Sequence, residues 1–116
     1  TGAPDEKPLV RSIAVGIGGI AQAFTGKDLA TLLALVLNAD LVITNDTAPM
    51  HFAFLARRPT IAIFTVMSAI CWGPPRQDPS AVVLNAPAEA STNVASAWTR
   101  TVHQHALRLL STPGIG

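Results

Sequence analysis

Three side chains able to bind or move charge fall within one short segment: Asp46, Thr47 and His51 in Asn45-Asp46-Thr47-Ala48-Pro49-Met50-His51. Their neighbours give those residue types a meaning. Leu41-Val42-Ile43-Thr44 is apolar and β-branched, the pattern of a strand buried on both faces of a parallel sheet. The residues that follow, to Ala56, read as a helix, and Pro49 suits its first turn, where no N–H is needed. A strand running into a polar turn and then a helix puts the turn at a strand's carboxyl end, where open α/β sheets bind ligands. The helix start adds unpaired N–H groups and a partial positive charge. Together these features make an anion site, and phosphate is its usual occupant. Thr47 adds a hydroxyl, the small Ala48 lets a ligand approach the backbone, and His51 lies one turn into the helix. The same residues also have a plain structural use: Asp46 or Thr47 as a helix cap, and His51 as a satisfied, half-buried histidine. Placement after a strand, and not residue type, is what favours a site.

Other candidates carry less. Gly16-x-Gly18-Gly19 follows a helical pattern, whereas a dinucleotide loop follows a strand and opens a helix; these glycines therefore end a helix. The single cysteine, Cys71, excludes an intrachain disulfide and a Cys-rich zinc site, and no histidine near it in sequence makes it a nucleophile. His103 and His105 stand two apart on a helix, hence on different faces, which argues against a shared metal. No metal or cofactor is expected. Arg57 and Arg58 read as a solvated terminus at the negative end of the helix. Met50, Phe52 and Phe54 read as core.

The elements that must position the segment follow from periodicity. Pro4-Asp5-Glu6 starts a helix of about ten residues carrying Leu9, Val10, Ile13 and Ala14. Ile20–Ala23 is a short strand candidate, Thr25–Asp28 a turn, and Leu29–Ala39 a helix rich in Leu, Ala and Val. After Pro59, Thr60–Phe64 is a second buried strand. A proline-rich loop passes through Trp72-Gly73-Pro74-Pro75 and Asp78-Pro79 to a further strand, Ala81–Leu84. The final helix lies within Ser91–Leu110, with Val102, Ala106, Leu109 and Leu110 as its apolar stripe. Short apolar strands alternating with helices specify an α/β fold: a Rossmann-like parallel sheet with helices on both faces.

A chain of 116 residues makes one compact domain, residues 1–116. Eight Lys and Arg against seven Asp and Glu give a net charge of +1, which offers no electrostatic case for nucleic acid. Charged residues are 13% of the chain, about half the usual share. With 49% hydrophobic residues and a mean hydropathy of +0.39, the chain is too apolar to be disordered and is expected to hide surface against a partner. Ile61–Gly73, the longest apolar stretch, is too short to span a bilayer, so no transmembrane segment is expected. Thr1-Gly2-Ala3 resembles the end of a strand, and the chain is expected to be a fragment of a longer protein.

Several ordered blocks carry a family likeness. Ala39-Asp40-Leu41-Val42-Ile43-Thr44-Asn45-Asp46-Thr47-Ala48-Pro49-Met50-His51-Phe52-Ala53 resembles the signature of the lipopolysaccharide heptosyltransferases, glycosyltransferase family nine. Phe24-Thr25-Gly26-Lys27, Pro59-Thr60-Ile61-Ala62-Ile63-Phe64 and Trp72-Gly73-Pro74 resemble further blocks of that family, in the right order. The resemblance implies the C-terminal, donor-binding half of a two-domain GT-B enzyme, truncated at its N-terminus. It implies a nucleotide-sugar donor such as ADP-heptose. It also implies a lipid-linked saccharide acceptor and a catalytic base, both held by a missing N-terminal domain. No catalytic residue is then expected in this chain. Asp46, Thr47, Ala48 and His51 become the residues that bind the donor's diphosphate and sugar, with Lys27 and Ser68 as further candidates. The implied location is cytoplasmic, peripheral at the inner face of the inner membrane. The chain departs from the family at Ala48, where glycine is usual, in the loop 65–70, which lacks G-P-T-D, and in the absence of earlier Lys-Trp and Glu segments. Those departures keep an alternative open: a non-catalytic α/β module that binds a nucleotide or a protein.

Overall fold

The computed structural model describes residues 1–65, 73–74, 78–87 and 92–112. The chain divides into two compact units, Thr1–Leu32 and Leu33–Gly116.

In the first unit a 3-10 turn, Pro4–Glu6, leads into α1, Lys7–Gly16. The Glu6 carboxylate accepts the Ala3 N–H at 2.7 Å and so closes the helix start. Gly18 and Gly19, at φ 88° and 83°, take the chain out of the helix through the left-handed region that glycine enters without strain. The glycine cluster is thus a helix terminator, as its position after a helical pattern requires. The strand expected at 20–23 does not form. Ile20 is 89% exposed, and the extended backbone that follows makes a single parallel bridge, between Thr25 and Gly2. The Gly2 N–H donates to the Phe24 carbonyl at 3.1 Å, and the Gly26 N–H to the Gly2 carbonyl at 3.3 Å. A strand needs a partner along its length, and here the partner is one residue. Helix α2, Leu29–Asn38, begins in this unit and ends in the next.

The second unit holds the sheet: β1 (Val42–Asn45), β2 (Thr60–Phe64) and β3 (Ala81–Asn85), parallel and in that order. Val42 pairs with Thr60 and Asn45 with Ile63; Thr60 pairs with Ala81 and Phe64 with Asn85. Successive residues of a strand face opposite sides, so β2 feeds two cores. On one side α3 (Ala48–Leu55) lays Met50 and Phe54 on Ala62, Phe64 and Val83. On the other, α4 (Thr92–Ser111) lays Val102, Ala106 and Leu109 on Ile61, Val82, Ile63 and Leu84. Full burial of a large apolar side chain contributes about 1.5–3 kcal/mol, so the two clusters account for much of what holds the helices to the sheet. Leu110 does not share the apolar stripe of α4: Leu109 is 3% exposed and Leu110 55%. One helical residue is a rotation of about 100°, which carries Leu110 off the packed face.

The return from α3 to β2 is a Schellman turn. The Arg57 N–H donates to the Phe54 carbonyl at 3.1 Å and the Arg58 N–H to the Ala53 carbonyl at 3.0 Å, with Arg57 at φ 52°. Arg58 is not the solvated helix end expected of it. It is half-buried, the Thr60 hydroxyl donates to its carbonyl at 2.6 Å, and its Nε is buried without a hydrogen-bond partner among the described residues. The turn folds Arg58 back onto the entry of β2 rather than leaving it to point into water.

Candidate functional site

Strand β1 delivers the chain to Asn45, and a tight turn follows. The Thr47 N–H donates to the Asn45 carbonyl at 2.8 Å, and Thr47 itself is extended at φ −129°, ψ −179°. Thr47 occupies the N-cap position of α3, yet its side chain makes no capping bond. The reason lies in the next residues. A capping hydroxyl accepts from the second or third N–H of the helix. Pro49 has no N–H to give, and the Met50 N–H already donates to the Thr47 carbonyl at 3.0 Å. The backbone oxygen of Thr47 does the work of a cap, and the hydroxyl stays on an exposed residue at the mouth of the helix.

Met50 is the anchor of this turn. It is 0% exposed and packs on Ala62 and Phe64, which ties the start of α3 to β2. Ala48 and His51 are exposed, Ala48 as the first helical residue and His51 within the first turn. Asp46 is half-buried, and its Oδ1 accepts a hydrogen bond from the Thr65 hydroxyl at 3.4 Å. Thr65 lies just past the carboxyl end of β2, so this contact links the exits of two adjacent strands. The first turn offers fewer amide donors than its position suggests, because Pro49 has none and the N–H groups of Thr47 and Met50 are already bonded. What remains is hydroxyl chemistry from Thr47, a carboxylate from Asp46, an imidazole from His51 and the positive pole of a short helix that has no acidic residue in its first turn.

The family model for glycosyltransferase family 9 (heptosyltransferase) matches residues 1–100, a span that contains the whole β1–turn–α3 segment. The chain belongs to glycosyltransferase family 9. A solved structure, a glycosyl transferase family 9 protein from Veillonella parvula DSM 2008, is similar in fold, with a TM-score of 0.70 at 23% identity. The similarity covers 94% of this chain and 35% of that one, so the chain spans about a third of the length of its solved relative. Among curated proteins none matches significantly.

The other candidate residues fall elsewhere. Lys27 is exposed in the turn before α2, in the unit Thr1–Leu32. Ser68, Cys71 and Trp72, with most of the loop 65–70, lie outside the described residues. His103 is exposed on α4, whereas His105 is half-buried with its Nδ1 3.4 Å from an Arg108 nitrogen. Among the described residues no group of His, Cys, Asp or Glu is placed to hold a metal, and no helix is long and apolar enough to cross a membrane. Thr65 is the residue that sequence reasoning passed over. Its one signal was its place immediately after the apolar run Thr60–Phe64, at the carboxyl end of a second strand.

Proposed function

We propose that this chain is the donor-binding part of a glycosyltransferase that moves a sugar, heptose by its family, from a nucleotide diphosphate to a lipopolysaccharide-type acceptor. One observation carries the reading: at the carboxyl end of β1, inside the span that the family matches, the Thr47 hydroxyl sits at a helix N-terminus and does not cap it. A hydroxyl so placed donates to a phosphate oxygen of the donor, and His51, within the same helical turn, hydrogen-bonds phosphate or sugar. When the glycosidic bond breaks, negative charge grows on the departing diphosphate. Fixed donors and the pole of α3 stabilise that charge without having to reorganise. The proton of the acceptor hydroxyl goes to a general base, which the remainder of the full-length enzyme supplies together with the acceptor site. The enzyme would act on the cytoplasmic side, peripheral to the inner membrane where a lipid-linked acceptor is found.

The test is binding of a panel of nucleoside diphosphates to this chain, followed by transfer from ADP-heptose by the full-length enzyme. Binding of none of the panel counts against the reading. The second reading, a non-catalytic nucleotide- or protein-binding module, rests on Ala48, whose methyl stands where the family usually has glycine at the head of α3. Nucleotide binding with no transfer by the full-length enzyme favours it.

A further inference from the structure

The helices that follow the two outer strands lie on opposite faces of the sheet: α3 follows β1 on one face, and α4 follows β3 on the other. In an open α/β sheet, ligands bind in the crevice outside the carboxyl ends of the strands, where connections part to opposite faces. A donor held by its diphosphate at the head of α3 therefore has the α4 side of the sheet within its crevice. Asn45 stands at that crossing. It is the last residue of β1 and pairs with Ile63, and aligned residues of parallel strands carry their side chains on one face. Ile63 packs in the cluster beneath α4, so the Asn45 carboxamide lies on the α4 side, across the sheet from Met50.

The Asn45 backbone is engaged, since its carbonyl accepts the Thr47 N–H at 2.8 Å and the Thr44 hydroxyl at 3.1 Å. Its side chain is exposed and makes no hydrogen bond among the described residues. Ile43, two residues earlier and so on the same face, is 52% exposed. A carboxamide offers a donor and an acceptor side by side, which matches the edge of a nucleobase, and a bare aliphatic surface beside it suits the ring.

We propose that Asn45 is a specificity-determining residue: with the diphosphate at the head of α3, its carboxamide reads the nucleoside of the donor from the α4 side and takes no part in holding the diphosphate. The proposal rests on the diphosphate reading above.

The test compares two probes on the wild type and on Asn45→Ala. ADP binding is expected to weaken about three- to tenfold in the variant, the scale of one hydrogen bond. Inorganic pyrophosphate, which has no nucleoside, should bind both equally, and this also shows that the variant is folded. Across ADP, GDP, CDP and UDP the spread of affinities should narrow in Asn45→Ala. Unchanged ADP binding overturns the proposal. An equal loss for ADP and pyrophosphate overturns it too, because Asn45 then acts on the diphosphate or on the fold. If the wild type binds pyrophosphate but no nucleoside diphosphate more tightly, the diphosphate site stands and the role of Asn45 fails. If the wild type binds neither probe, the diphosphate reading fails and this role fails with it.

Discussion

The Met50 N–H donates to the backbone carbonyl of Thr47 at 3.0 Å, and this one bond separates two roles that a threonine at a helix start usually combines. The Thr47 backbone holds the helix start, and its hydroxyl makes no capping bond. Thr47→Val is therefore expected to change stability by no more than about 0.5 kcal/mol, as at an ordinary surface site. The same change should weaken nucleoside diphosphate binding by about 1 kcal/mol, one lost hydrogen bond. Denaturant melts and titration calorimetry on the same variant check both halves. A large loss of stability would show that the hydroxyl caps the helix after all.

Met50 lies in the same turn and behaves in the opposite way. It is fully buried against Ala62, Phe64, Phe54 and Val83. Met50→Ala leaves a cavity beneath the start of α3 and is expected to cost about 2–5 kcal/mol. Met50→Leu, which roughly conserves volume, should cost less than about 1.5 kcal/mol. Equilibrium unfolding in urea separates the two. Equal losses would mean that the sulfur, and not the volume, matters at this position.

The parts of this fold that sequence made visible are those in which one residue's neighbours suffice. Thr60–Phe64 is apolar along its length, and its two faces feed two helices, as a buried parallel strand must. The β1–turn–α3 unit was visible too, shifted by one residue from 41–44 to Val42–Asn45, but β1 is not buried on both faces as expected: among the described residues it pairs with β2 alone, and Ile43 and Asn45 are exposed. What stayed hidden depends on distant partners. The failure at 20–23 reflects a partner reduced to Gly2, more than 15 residues earlier in the chain. The Thr65–Asp46 contact joins residues 19 apart through strand register. That the Thr47 hydroxyl makes no capping bond required knowing which amides were already taken. Arg58 read as a charged helix end because its burial comes from the turn's geometry and not from its type.

That turn leads to a stabilising change. Arg57 sits at φ 52°, at the position of a Schellman turn where glycine is usual. A side chain in this region strains the backbone, whereas glycine enters it freely. Glycine also loses more freedom on folding, and the arginine charge favours a helix's negative end. Arg57→Gly is expected to raise stability by about 0.5 kcal/mol net, with Arg57→Ala showing no gain. Thermal unfolding of both variants checks the difference. A gain in the alanine variant would assign the effect to charge rather than to backbone.

The last expectation concerns acid. Asp28 caps α2: its Oδ1 accepts the Thr31 N–H at 2.8 Å. Hydrogen bonds from the Thr31 side chain first, then from its backbone, hold the Asp28 carboxyl below the ordinary 3.8, with a smaller contribution from the Lys27 charge. The folded value is thus lower than the unfolded one. The contribution to stability is fully present above the unfolded value and is lost as pH falls through the folded value. Between pH 5 and neutrality the cap should make no pH-dependent difference, since Asp28 is charged in both states. Below pH 3.8 the first turn of α2 should loosen as the carboxyl protonates and gives up the Thr31 N–H. The Thr31 amide resonance reports this directly, and its acid titration should have a midpoint below 3.8 that disappears in Asp28→Asn. A midpoint at or above that value would mean that Thr31 does not hold the charged form.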